Sequence, residues 1–132
     1  MAVSDSIADG LTKIRNASRA GHPTVDVRAS RVFEQVLSVL KQEGFIRTYK
    51  PVGETPAQRA LRVYLKYSKK RPVITQMIRI SKPGWREYRK AAELPRVLGG
   101  LGLAVVTTSK GMMAEREAYH QRLGGEVVCY VW

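Results

Sequence analysis

The chain has 132 residues, 44% of them hydrophobic, a single cysteine, and a net charge of +12 from 23 Lys+Arg against 11 Asp+Glu. That is enough apolar material for one ordinary domain or two small ones and too much for a disordered tail, and no run approaches the roughly 20 apolar residues of a membrane-spanning helix. The charge is concentrated: residues 1–40 carry +1, residues 91–132 carry 0, and residues 41–90 carry 14 basic against 3 acidic side chains, a field that attracts polyanions, nucleic acid before an anionic membrane surface.

Taken in chain order, the opening MAVSDSIADG has early acids and no apolar core, so no secretory signal is expected. Residues 4–19 read as an amphipathic helix, with Ser4 as its cap, Asp5 in the first turn, and Ile7, Leu11 and Ile14 on one face. Gly-His-Pro at 21–23 breaks it, and TVDVRA fits a short strand. SRVFEQVLSVLKQEG is a second helix: Ser30 caps it, Val32, Phe33, Val36, Leu37 and Leu40 form the expected buried stripe, and Gly44 stands where a terminating glycine belongs. FIRTYKPV and ALRVYLKY are strands joined by a Gly-Glu-Thr-Pro turn. In the second, Leu61, Val63 and Leu65 alternate with Arg62, Tyr64 and Lys66, so the outer row is either solvated or turned to a partner.

SKKRP at 68–72 combines consecutive charges with a proline and is the expected linker, dividing the chain into domains 1–67 and 73–132. Beyond it, VITQMIRIS is an expected strand ended by the Lys-Pro-Gly turn, and WREYRK extends briefly. AELPRVLGGLG gives a short helical turn, LAVVTT a buried strand, 112–122 a helix or long turn, and EVVCYVW a terminal strand. The order is α-β-α-β-β followed by a mainly β half with short helices, an α+β class in two small domains. Cys129 lies in the apolar last strand, which predicts a buried thiol in a reducing cytoplasm and excludes an intrachain disulfide.

The stretch VVTTSKGMM at 105–113 packs three hydroxyls, an ammonium and a glycine together. A phosphate loop of the Walker type needs its glycines before the lysine, and here the one glycine, Gly111, follows Lys110. The cluster Gly99-Gly100-Leu101-Gly102 precedes a strand, the wrong context for a dinucleotide. A nucleophile at Ser109 or Cys129 would need a base, and the histidines, His22 and His120, both read as surface residues. Nothing has the spacing of metal ligands, and Glu115 and Glu117 read as solvated surface. Catalysis, metal and cofactor therefore drop out, and binding remains. Thr107, Thr108, Ser109, Lys110 and Gly111 are read at a strand–helix junction, where they either hold RNA phosphates, 2′-hydroxyls and base edges or merely cap the helix. The basic middle tips the balance towards nucleic acid. In SKPGWREYRK, Lys82, Arg86, Arg89 and Lys90 supply charge, and Tyr88 and Trp85 supply faces for base stacking, with core packing the alternative for Trp85.

The blocks DSIADGLTKIRNA, LKQEGFI, RISKPGWREY, ELPRVLGGLG, GLGLAVVTTSKGMM and LGGEVVCYVW, in this order and over nearly the whole chain, resemble the bacterial ribosomal small-subunit protein eight family. The resemblance implies two small α+β domains, no enzymatic activity and no cofactor. It implies a cytoplasmic, ribosome-bound protein that binds an irregular stem of the 16S rRNA central domain early in 30S platform assembly, largely through the minor groove. Neighbouring small-subunit proteins five and twelve are implied partners, and some members repress their own operon through a similar mRNA stem. Carried over by position, Thr107, Thr108, Ser109 and Lys110 would enter the groove, Tyr88 would lie against the RNA, and Gly124, Gly125 and Glu126 would shape the adjoining surface. Thr12, Arg15 and Asn16 match the family's first-helix motif and would touch a second RNA region. The chain departs from the family at Ser6, where proline is common, and at Gly10, where a larger residue is usual, which implies a looser first helix. It departs again at AYHQR, 118–122, which puts peripheral contacts there in doubt.

Overall fold

A computed structural model describes residues 5–132, and the expected Ser4 cap lies outside them. The architecture is α+β, in two compact units, Ser6–Thr75 and, with Asp5, Gln76–Trp132. The first unit contains α1 (Ser6–Ala20), β1 (Thr24–Arg28), α2 (Arg31–Gln42), β2 (Ile46–Val52) and β3 (Ala60–Leu65), with the strands in the order β1-β3-β2, all antiparallel. Ile7, Leu11 and Ile14 of α1 are buried, and so are Phe33, Val36, Leu37 and Leu40 of α2 together with Val39. Each such aliphatic or aromatic side chain withdrawn from water contributes roughly 1.5–3 kcal/mol. Val32 was expected in that stripe and is 46% exposed. It sits in the first turn of α2, one position before Phe33 and so turned away from the buried side.

Both ends of α2 follow from single residues. Ser30 is extended and its hydroxyl accepts from the Phe33 N–H at 3.0 Å. At the other end Gly44 adopts φ +81°, the Phe45 N–H donates to the Leu40 carbonyl, and the Gly44 N–H donates to Lys41, a Schellman closure that a left-handed residue makes possible. Gly10, where a loose helix was expected, is a packing site. The Phe33 ring lies so near that an added Cβ would fall 2.5–2.7 Å from it. On β3, Leu61, Val63 and Leu65 are buried, as the alternation requires. The outward Arg62 is spent on Asp26, donating from Nε at 2.8 Å and from Nη2 at 3.1 Å, and Lys50 lies over the Tyr64 ring. The Arg62 hydrogen bond holds the Asp26 carboxyl below its ordinary range.

Residues 68–72 do not run as an open linker. Tyr67–Ser68 (β4) and Arg71–Pro72 (β5) pair antiparallel around a Lys69-Lys70 turn within the first unit. The strand expected over 73–81 is shorter too: β6 is Met77–Arg79, one further backbone-bonded pair, Gln76 with Trp132, continues its ladder, and before that Val73 bonds back to Lys66.

The second unit is built on a sheet whose central strand, β10 (Gly125–Val131), pairs with β8 (Leu103–Thr108) on one edge. Its other edge is shared by β6, opposite residues 129–131, and by β7 (Tyr88–Arg89), opposite residues 125–126. Strand β9 (Gly111–Ala114) continues the sheet beyond β8, and α3 (Glu115–His120) follows directly. Met112 and Met113, expected in a helix or turn, are therefore strand residues. Val105, Val106, Cys129 and Val131 are fully buried, and apolar surroundings push the Cys129 thiol up to about 12.

Candidate nucleic-acid interface

The TTSKG stretch is a β-hairpin tip and not a strand–helix junction. Thr108 pairs with Gly111, leaving Ser109 and Lys110 as a two-residue loop, and α3 starts only at Glu115. The expected help from a helix terminus is therefore gone, and so is the capping alternative. What shapes the loop is Gly111 at φ +109°, a backbone conformation side chains resist. Thr108 locks it from inside: its Oγ1 donates to the Gly111 carbonyl at 2.8 Å and accepts from the Lys110 N–H at 3.1 Å. The Thr108 hydroxyl proton is thus already committed. Ser109 and Lys110 are exposed, and their side chains make no hydrogen bond or ion pair among the described residues. They are the groups free to meet a ligand.

Register places the other candidates beside this tip. Met112 stands opposite Thr107, Thr107 opposite Glu126, and Glu126 opposite Tyr88. Residues directly opposite in antiparallel strands project from the same face, so one row runs across four strands from Met112 to Tyr88. Tyr88 is 65% exposed at its end. The close spacing of those strands depends on glycine. A Cβ at Gly125 would lie 2.2 Å from the Thr107 carbonyl oxygen, and one at Gly124 would lie 2.6 Å from that of Arg89. These two residues set the surface by admitting backbone, which is a narrower role than a contact.

Glu126 contributes no free negative charge. Its carboxylate accepts from Arg86 at 3.0 Å and from the Ser81 hydroxyl, while Ser81 Oγ in turn accepts from the Glu87 N–H at 3.1 Å. Ser81 is wholly buried, and a lone serine after a strand gave the sequence no means of announcing it. Trp85 is 71% exposed, so it is not core. Its indole N–H donates to Glu87, to which Arg89 also donates, and these two bonds, Trp85 first, lower the Glu87 carboxyl below its usual range. Lys82 closes a tight turn with Trp85 through paired backbone bonds and leaves its ammonium exposed. Arg86 and Arg89 are about half exposed while the carboxylates they meet are mostly covered, so each guanidinium keeps donors facing outward beside its pair.

The structure therefore brings together Tyr88, Arg86, Arg89, Gly124, Gly125, Glu126 and the tip 107–111. Thr12, Arg15 and Asn16 belong to the other unit, on α1. There Thr12 and Asn16 are exposed, while the Arg15 Nε is enclosed without a hydrogen-bond partner among the described residues. Glu115, read as solvated, is 7% exposed, and its carboxylate accepts from the Ala104 N–H at 3.0 Å, tying α3 to β8. Among the described residues no group of three or more His, Cys, Asp or Glu side chains could hold a metal, and no helix is long and apolar enough to cross a membrane.

Comparison with known proteins meets this geometry from outside. The family model described as "Ribosomal protein S8" matches residues 5–132. The protein named "Small ribosomal subunit protein uS8" of Dictyoglomus thermophilum is 52% identical over 132 residues, covering 100% of both chains. Proteins of the same name from Halalkalibacterium halodurans and Chloroflexus aurantiacus are 51% and 48% identical over 133 residues, again over the full length of each.

Proposed function

The chain belongs to the ribosomal protein S8 family, and from that membership we propose that its sheet row and hairpin tip bind the 16S rRNA central domain directly. Its role in the small ribosomal subunit is structural and not enzymatic. Support for the finer reading comes above all from one observation. A neutralised row, Thr107–Glu126–Tyr88, ends beside an exposed Ser109-Lys110 tip whose backbone is already fixed by Thr108 and Gly111. Hydroxyl and ammonium on a preformed loop can enter a shallow RNA minor groove and bond 2′-hydroxyls and phosphates without reordering. The exposed face of Tyr88 gives an unpaired base something to stack on, and Lys82, Arg86 and Arg89 add sequence-independent attraction. Thr12, Arg15 and Asn16 would take a second RNA region. Small-subunit proteins five and twelve are the proposed neighbours, and repression of the protein's own operon would use the same surface on an mRNA stem.

Binding to a central-domain stem, measured against salt, tests this. If about five phosphates are neutralised, log K falls against log[salt] with a slope of roughly −3.5 to −4.5. Ser109→Ala should weaken the complex by on the order of 1 kcal/mol or more, since the RNA group it meets would be left unpaired. Equal affinity of the wild type for unrelated RNAs would point instead to a general RNA chaperone, and a salt-independent affinity would contradict the reading.

A further inference from the structure

The Lys69-Lys70 turn is built in a way its residues do not favour. Ser68 pairs with Arg71 and Tyr67 with Pro72, so two residues make the whole loop. Both are left-handed, Lys69 at φ 51° and Lys70 at φ 65°. Positive φ at both central positions is the type I′ hairpin, which Asn-Gly or Asp-Gly fills with least strain. A lysine carries a Cβ that this region disfavours, so two in succession mark a tip where something other than backbone ease selects the side chains. The turn is held from its base. Tyr67 donates its hydroxyl to the His22 carbonyl, and Val73 N–H donates to the Lys66 carbonyl at 3.0 Å.

The stretch of chain that carries the turn is cationic. No Asp or Glu occurs anywhere from residue 55 to residue 86. Lys66, Lys69, Lys70 and Arg71 are all exposed, and none forms an ion pair among the described residues, in contrast to Arg62, which Asp26 neutralises. From the strained turn, the anchored base and the unpaired cations we infer that the 66–71 hairpin of the first unit is a rigid cationic finger, a phosphate-binding surface. Its ligand is the phosphodiester backbone of RNA. The inference rests on the proposed function for its choice of RNA as the polyanion. A backbone already fixed in the free protein spares the complex the ordering that a flexible lysine loop would need.

The test uses the full chain and a transcript of the 16S rRNA central domain, with affinity followed through a KCl series. Lys69→Asn with Lys70→Gly removes two charges and keeps the turn in residues suited to it; Lys69→Arg with Lys70→Arg keeps the charges. The Asn-Gly protein should lose about tenfold in affinity near physiological salt, and its log K slope should flatten by about 1.4–1.8, the value for two phosphates. It should also melt at a higher temperature, because the strain is relieved. The Arg-Arg protein should keep the wild-type slope. An unchanged slope in the Asn-Gly protein overturns the finger, and so does equal flattening in the Arg-Arg protein. Should the wild type bind unrelated RNA as well as the central domain, the proposed function fails, yet the finger still stands if the slope change is found on both RNAs.

Discussion

Gly125→Ala probes the point where the candidate interface depends most directly on backbone packing. The added methyl would lie 2.2 Å from the Thr107 carbonyl oxygen, 3.0 Å from its carbon and 3.1 Å from Val106 Cγ1. Ordinary contact begins near 3.4 Å, so strand β8 must retreat by about an ångström, and its partner here is backbone that cannot swing aside. Gly125 has no left-handed φ, so the effect is steric. Overpacking of this kind destabilises by about 1–3 kcal/mol, and each ladder hydrogen bond lost between β8 and β10 adds about 0.5–1.5; together about 2–4 kcal/mol is expected. Both tryptophans, Trp85 and Trp132, lie in the second unit, so their fluorescence in a urea titration reports that unit. With an m-value of about 1–1.5 kcal/mol/M for so small a unit, the midpoint should fall by about 2 M. Gly84→Ala is the control, since a Cβ there meets nothing within 4 Å. A Gly125→Ala midpoint within about 0.5 M of wild type would refute the steric reasoning.

Two further outcomes follow from buried groups. Glu115→Ala strands the buried Ala104 N–H, which Glu115 otherwise satisfies at 3.0 Å, and should destabilise by about 1–3 kcal/mol in thermal unfolding; Glu115→Gln keeps an acceptor and should recover much of that. Cys129 has its folded pKa raised to about 12 from an ordinary 9.0. The unfolded chain therefore ionises first, so the thiol's contribution is intact below about pH 9 and is lost as pH rises towards 12, by about 2–3 kcal/mol at pH 11. Cys129→Ala should flatten that alkaline loss in urea midpoints, and an equally steep loss in the variant would discount the thiol.

Helix α2 was legible because its signals are local: a cap at Ser30, a left-handed stop at Gly44 and a stripe at helical spacing. Strand β3 was legible because Leu61, Val63 and Leu65 alternate against a single buried face. Local signals failed where the deciding partner lies far along the chain. Met112 and Met113 belong to a short apolar run that suits helix and strand alike, and only pairing with β8 decides it. Glu115 looked solvated because a carboxylate's need for a backbone N–H eleven residues away leaves no mark in sequence. Residues 68–72 looked like a linker because charge and proline usually signal one, whereas here two lysines accept a turn they fit poorly. At the candidate interface 107–111 and Tyr88 were singled out by their residue types, and 124–126 only through family resemblance. The hairpin geometry, the committed Thr108 hydroxyl and the Ser81–Glu126–Arg86 network were not.

Strand β10 comes after every strand it pairs with. During synthesis the first unit, closed by residue 75, can complete its sheet and bury its helices while the rest of the chain is still being made. The second unit cannot. Strands β6 and β7 have no neighbour until residues 125–131 emerge between them and β8. Thr107, Glu126 and Tyr88 therefore cannot stand abreast before β10 has been made. Vectorial synthesis thus withholds this surface until the strand that organises it has been made.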